Sequence, residues 1–249
     1  MDSVLDTVSR QGFCLAPGFL QRSHVLTICE SLADLRREDD VENENSPRRG
    51  GLRQLLDRAP QLRPLADSPA LRSLVEPVLG PSARVVRATL FDKTPEANWI
   101  VPWHQDLTIA VQQRVDLPGF GPWSTKDGVC HVQPPTEVLE NMLAVRIHLD
   151  DCDADNGALR VLPGSHLLGK LGAQDIRRLV AEQSPVTCAV SSGGAMLMRP
   201  LLLHASSKAL NPKNRRVIHF EFASGPLPEG LQWQAHEATI DSTVGTGMV

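Results

Sequence analysis

The segment Met142-Leu143-Ala144-Val145-Arg146-Ile147-His148-Leu149-Asp150 alternates without a break: Leu143, Val145, Ile147 and Leu149 on one side, Met142, Ala144, Arg146, His148 and Asp150 on the other. Successive side chains of an extended strand point to opposite faces, so this is a strand with one apolar and one polar face. A second strand of the same kind sets Arg215, Val217, His219 and Glu221 against Arg216, Ile218, Phe220 and Phe222. Two strands with polar faces predict a shared polar interior. After the first of them, Asp155-Asn156-Gly157 is a strong turn signal, and Ala158-Leu159-Arg160-Val161-Leu162 follows, so a hairpin is predicted there.

Working outward, strand patterns fill 84–93, 99–101, 142–150, 158–162, 195–199, 201–206 and 215–223, whereas the first seventy-nine residues read as helical. Val4, Leu5 and Val8 share one helix face, Val25 to Leu35 continue the period behind a Ser23 cap, and further helical patterns occupy 52–56 and 69–79 before Gly80-Pro81. Residues 38–51, EDDVENENSPRRGG, read as an exposed loop. The predicted class is α+β and mainly β: an antiparallel sandwich or barrel with N-terminal helices on one outer face. One domain over 1–249 is the simplest division, with covering helices at 1–80, a strand core at 84–223 and a tail at 224–249. Residues 107–141 form a Gly-, Pro- and Trp-bearing insertion without periodicity, of the kind that serves as a lid or binding loop.

Composition narrows the function classes. Apolar residues are 41% and charged residues 22%, enough for a sizeable core. Twenty-five basic residues against twenty-nine acidic ones give a net charge of −4 without a basic run, which argues against a nucleic-acid binder. No apolar run approaches the ~20 residues needed to cross a bilayer. A soluble, cytoplasmic protein acting on a small molecule is expected, and oligomeric state is unreadable. Five cysteines, Cys14, Cys29, Cys130, Cys152 and Cys188, lack CxxC spacing and read as reduced, buried thiols. Tyrosine is absent, which removes any tyrosyl acid or radical from consideration.

The chemistry concentrates in Trp103-His104-Gln105-Asp106, where His104 and Asp106 point to one side of an extended chain and can reach one ion. Alone this pattern is weak. It gains force from His204, which ends the apolar run Leu201-Leu202-Leu203, and from Arg215, eleven positions further on. Two imidazoles and a carboxylate are the facial set that holds non-haem Fe(II) and leaves positions open. A keto acid such as 2-oxoglutarate and dioxygen would use them, and the keto acid's distal carboxylate needs a cation. Arg215 supplies it by a planar two-point contact that lysine cannot copy; its alternative use is a salt bridge to Glu221.

These residues, in this order, resemble the phytanoyl-CoA dioxygenase family of Fe(II)/2-oxoglutarate oxygenases. The resemblance runs through Leu90-Phe91-Asp92-Lys93, Trp103-His104-Gln105-Asp106, Asp155-Asn156-Gly157-Ala158-Leu159, Leu162-Pro163-Gly164-Ser165-His166 and His204-Ala205-Ser206 with Arg215-Arg216, and the opening Gly12 to Leu20 fits as well. It implies a double-stranded β-helix, or jelly roll, with His104, Asp106 and His204 binding iron, Arg215 holding the 2-oxoglutarate C5 carboxylate, and Ser206 and Lys93 assisting. Asp106 stands where related halogenases lack a carboxylate, so hydroxylation is the implied outcome, with succinate and carbon dioxide as co-products.

The chain departs from the resemblance at Arg146, with His148 and His219 beside it on inward positions. Either a polar pocket for a substrate or co-substrate with a carboxylate or several hydroxyls, or an internal pairing of Arg146 with Asp150 or Glu221, would account for them. His166 is expected to order its turn, Gly193-Gly194 to be a turn between strands, and His131 and Trp123 either to contact substrate or to pack the insertion. A cupin-like isomerase or hydrolase using the metal as a Lewis acid leaves Arg215 unexplained, and a catalytically silent binding barrel predicts a damaged triad.

Overall fold

The structure is a computed structural model that describes residues 2–42, 51–94, 98–210, 213–228 and 230–234. The chain opens with α1 (Val4–Gln11), β1 (Phe13–Ala16), α2 (Arg22–Glu42), α3 (Leu55–Arg58), α4 (Arg63–Ala66) and α5 (Pro69–Leu79). It continues through β2 (Arg84–Lys93), β3 (Val101–His104), β4 (Ile109–Val111), β5 (Trp123–Lys126), β6 (Val129–Val132) and α6 (Thr136–Glu140). The remaining elements are β7 (Met142–His148), β8 (Leu159–Val161), α7 (Ala173–Glu182), β9 (Val186–Cys188), β10 (Ala195–Met198), β11 (His204–Ser206) and β12 (Arg215–Ala223).

Local chemistry explains the helix ends. Ser3 and Asp6 form a reciprocal capping box on α1, and Gly12, at φ 84°, closes it in the left-handed region. Ser68 accepts from Leu71 N at 3.2 Å to start α5, with Pro69 in the first turn, where its missing N–H costs nothing. Ser23 is not a cap: it lies inside α2, and its carbonyl accepts from the Thr27 hydroxyl at 3.2 Å. The helix also runs on to Glu42, so the front of the expected 38–51 loop is helical, because no Gly or Pro interrupts it before Pro47. Residues 43–50 of that loop lie outside the described residues.

Two antiparallel sheets form the body, a five-stranded one in the order β1-β10-β7-β12-β2 and a four-stranded one in the order β3-β11-β8-β9. This is the double-stranded β-helix arrangement, and it overturns the predicted hairpin. Strand β7 pairs with β10 and β12, whereas β8 pairs with β11 and β9. The Asp155-Asn156-Gly157 turn therefore carries the chain from one sheet to the other. A turn signal states that the chain bends, not which strand it will pair with.

The outer face of the five-stranded sheet buries Leu143, Val145, Ile147, Ile218, Phe220 and Phe222 against Val8, Val25, Leu32, Leu71 and Val75 of α1, α2 and α5. Each such side chain contributes about 1.5–3 kcal/mol on leaving water. The inner face brings Ala144, Met196 and Met198 against Leu159 and Val161 of the other sheet and Leu202 just before β11. The polar sides of β7 and β12 meet in register, Val217 opposite His148, His219 opposite Arg146 and Glu221 opposite Ala144.

The 107–141 insertion is more ordered than its sequence implies. Strands β4, β6 and β5 make a three-stranded sheet whose Ile109, Val111 and Val132 bury against Val86, Met142 and Leu201. The start of the tail joins the same cluster through Leu227, Leu231 and Trp233, and Trp233 bridges to Val111. Strands of three or four residues are too short to show a period, which is why these and β1 were not legible. Residues 235–249 of the tail lie outside the described residues. Among the described residues no helix is long and apolar enough to cross a membrane.

Candidate metal centre

The end of β3 and the start of β11 lie side by side, His104 paired with His204 in the ladder. Their rings stand 4.2 Å apart, and Asp106, two residues past His104, turns its carboxylate between them: Oδ1 is 3.6 Å from His104 Nε2 and Oδ2 is 3.8 Å from His204 Nε2. Neither separation is a hydrogen bond. One donor atom from each of the three lies within 4.8 Å of the others, a spacing that closes readily around an ion bound at about 2.1 Å.

Both rings are presented for ligation. His104 Nδ1 lies 2.9 Å from Pro102 O, and His204 Nδ1 lies 2.8 Å from Leu202 O. Nδ1–H donation to a backbone carbonyl leaves the Nε2 lone pair free, and Nε2 is the atom aimed at Asp106. Burial pushes the His204 imidazole down to about 4 even though Asp106 favours its charge, so the ring is neutral near pH 7. For Asp106 burial favours the protonated form, but the imidazoles of His204, His104 and His219 outweigh it and hold the carboxyl well below the usual range. At His104 burial works against the charge, and the neighbouring carboxylate raises it overall.

Sequence reasoning passed over the residue between the ligands. Gln105 is buried, its amide donates to Gly169 O at 2.8 Å and Leu201 O at 2.7 Å, and its carbonyl oxygen accepts from Leu171 N at 2.8 Å. Asp106 N donates to Pro200 O at 2.9 Å. These bonds fix the turn that points Asp106 inward. On the other side, Ser165 Oγ donates to Leu162 O and accepts from Leu203 N, both within 2.8 Å, which pins the residue before His204.

A second cluster lies at the far end of the inner face. Arg215 and Lys93 pair across β12 and β2, and Lys93 Nζ donates to Ser206 Oγ at 3.2 Å, Trp99 O at 2.7 Å and Ser207 O at 3.3 Å. Arg215 and its two expected helpers thus lie together, and Ser206 is two residues along β11 from His204. Arg215 is 5% exposed and donates to Gly157 O, with Cys152 Sγ at 3.6 Å. It makes no salt bridge to Glu221; that carboxylate is taken by Arg87, whose Nε donates at 2.7 Å, and by His219 Nε2 at 3.2 Å. Arg215 Nε has no partner. Burial, reinforced by the Arg215 charge, pushes Lys93 down to about 7.

Between the clusters stand Arg146, His148 and His219. Arg146 Nη1 donates to His219 Nδ1 at 3.1 Å and its guanidinium lies 5.3 Å from the Phe91 ring centre, so it pairs with neither Asp150 nor Glu221. Asp150 is bound by Arg216 at 2.7 and 2.9 Å. Both ring nitrogens of His148 are buried without a partner, and burial beside Arg146 and Arg215 drives it down to about 3. Counting parity along β2 would have exposed Arg87, which shares the inward side with Phe91 and Lys93.

The other histidines stand apart. His166 lies 3.1 Å from Ser9 O and tethers its turn to α1, as expected of a turn residue. His131 is buried in the three-stranded sheet with Nδ1 3.0 Å from Val129 O, and Trp123 packs on the apolar side of that sheet under Arg114. Gly193 and Gly194 turn the chain into β10, and Gly193 lies against Leu20 O, where a Cβ would sit at 2.5 Å.

A two-sheet β-helix with a His-x-Asp and distal His set on one sheet, facing buried cations on the other, defines the class of mononuclear metal-centre proteins built on the jelly roll. The chain belongs to the phytanoyl-CoA dioxygenase (PhyH) family, whose sequence model matches residues 8–217. No curated protein matches it. Among solved structures it is similar to EctD from S. alaskensis with 2-oxoglutarate and 5-hydroxyectoine (TM-score 0.68, 14% identity, 88% of this chain and 74% of that one). It is also similar to the epimerase SnoN in complex with Fe3+, alpha ketoglutarate and nogalamycin RO (TM-score 0.67, 20% identity, 99% and 91%). HygX from Streptomyces hygroscopicus with nickel and 2-oxoglutarate bound is a third (TM-score 0.64, 19% identity, 90% and 87%).

Proposed function

We propose that this protein is an Fe(II)/2-oxoglutarate-dependent dioxygenase that hydroxylates a C–H bond of a small, polar metabolite in the cytoplasm. The observation that carries the reading is the placement of a buried Arg215, bonded to no acid among the described residues, with Lys93 and Ser206 on the same inner surface as the His104–Asp106–His204 set. The donor set suits iron, and the unpaired Arg215 Nε suits a carboxylate. Family membership and structural neighbours that bind 2-oxoglutarate support it. The buried thiols of Cys152 and Cys188 accord with a reducing compartment.

When bound, the iron and keto acid supply the oxidising chemistry, coupling decarboxylation to succinate with insertion of oxygen into the substrate. The chain's own work is placement. His104 and His204 present Nε2 lone pairs held by their backbone bonds, and Asp106 brings the one negative charge. Arg215 grips the distal carboxylate of the co-substrate, Lys93 adds charge once an anion is there to stabilise it, and Ser206 holds Lys93 in place. Phe91, Met196 and Met198 keep the inner surface apolar between the charged groups, which limits water. A redox-neutral Lewis-acid enzyme would leave Arg215 and Lys93 without a role.

The test is anaerobic titration with Fe(II) and 2-oxoglutarate. A weak visible band near about 500 nm, typical of a keto acid chelated at an open ferrous site, is expected in the wild type and absent from Asp106→Ala. A wild type that binds iron without the band would end the assignment.

A further inference from the structure

The buried charged side chains of the described residues are Lys93, Arg146, Arg215 and Glu221, three cations and one carboxylate. Glu221 is matched by Arg87. If the reading above is right, a ferrous ion meets Asp106 and one carboxylate of 2-oxoglutarate, and Arg215 with Lys93 meets the other. Every negative charge is then assigned, and Arg146 still has none.

Arg146 is 8% exposed, and its polar contact is to an imidazole. His219 is itself engaged with Glu221, its Nε2 3.2 Å from Glu221 Oε1, so the group Arg146 touches is an imidazole and not a carboxylate. Arg146 Nε has no partner, and both nitrogens of the adjacent inward position, His148, are likewise unpaired. Burial and the Arg215 charge lower Arg146 only to about 10, so it remains a cation near neutral pH. A buried charge without a counter-charge is strongly unfavourable. The whole chain is net negative, so this local excess of positive charge is not a consequence of composition.

We infer that the prime substrate carries a carboxylate or an oxyanion of similar size, and that Arg146 is the residue that holds it. Arg146 sits on β7 opposite His219, one step along the inner face from the Val217–His148 pair and two from Arg215. It stands between the two clusters: the Arg215 charge acts on it most strongly from one side, and Asp106 and His204 feel its charge on the other. An anion on Arg146 places the rest of a small substrate beside the metal.

The test uses the smallest carboxylate, so that shape cannot exclude it. Protein loaded with Ni(II) in place of iron and saturated with 2-oxoglutarate is titrated calorimetrically with formate and, separately, with formamide. Saturable binding of formate but not formamide is expected, weakened about 30-fold or more in Arg146→Gln and partly kept in Arg146→Lys. Affinity for 2-oxoglutarate should change by less than about threefold in the same variants. Formate and formamide behaving alike in the wild type, a comparison that needs no variant to fold, would overturn the inference. So would an Arg146→Gln protein that loses 2-oxoglutarate instead, because the guanidinium would then serve the co-substrate's metal-bound end. A protein that binds formate through Arg146 but no 2-oxoglutarate keeps the anion site and loses the oxygenase reading. One that binds 2-oxoglutarate and ignores formate does the reverse.

Discussion

Ser206 Oγ accepts a hydrogen bond from Lys93 Nζ at 3.2 Å, joining the four-stranded sheet to the edge strand of the five-stranded one. The bond holds a lysine ammonium in a site that already contains Arg215, and the cost of that crowding appears as a titration near neutrality.

Lys93 is pushed down to about 7 in the folded protein by burial and by Arg215, against about 10.4 in an unfolded chain. Between these values the unfolded chain binds the extra proton, so the stability of the ligand-free protein should rise with pH from about 7 to about 10. Below pH 7 the penalty is complete. Urea denaturation of wild type and Lys93→Met at pH 7 and pH 9 measures it: the variant should lack the rise, and 2-oxoglutarate should flatten it in the wild type by restoring a counter-charge.

Arg215→Leu should weaken 2-oxoglutarate binding about 100-fold, within the 2–5 kcal/mol range for truncating a buried charged partner. Arg215→Lys should recover little, because one ammonium cannot replace a planar fork that also donates to Gly157 O. Calorimetric titration of both variants decides whether the geometry of the cation matters as well as its sign.

Gly157 sits at φ 70°, and a Cβ there would lie 2.9 Å from Ser207 O. Gly157→Ala should therefore cost about 1–3 kcal/mol of stability. It should also raise the 2-oxoglutarate requirement, since the carbonyl of that residue orients Arg215. A thermal melt and a binding titration on the same preparation report the two effects.

Gln105→Leu removes three hydrogen bonds around a buried amide and leaves Gly169 O, Leu201 O and Leu171 N without that partner. Metal affinity should fall about 10- to 100-fold although no ligand is touched, as for other groups that orient a coordination shell. Gln105→Glu should restore less than half of the loss in binding energy, because it can accept from Leu171 N but cannot donate to the two carbonyls. Equilibrium dialysis with Ni(II) gives the affinities.

Which residues share a face was decided by chain chemistry alone. The alternation through Arg146 and His148, and through Arg215 and His219, needs only the two-residue repeat of an extended backbone, and the His-x-Asp spacing carries its own geometry. Those features survive in the folded molecule with Arg84–Lys93 and Arg215–Ala223 as read. Pairing partners were not available in the same way. Strand β7 joins β10 and β12 rather than the segment after its turn, and Asp150 goes to Arg216 rather than to Arg146. Those outcomes depend on contacts between segments far apart in sequence, where the competing choices differ by packing and loop closure rather than by any local preference. The cation left over on Arg146 belongs to this second group: a sequence shows that an arginine points inward, but only the folded chain shows that Asp150 and Glu221 are taken by Arg216 and Arg87.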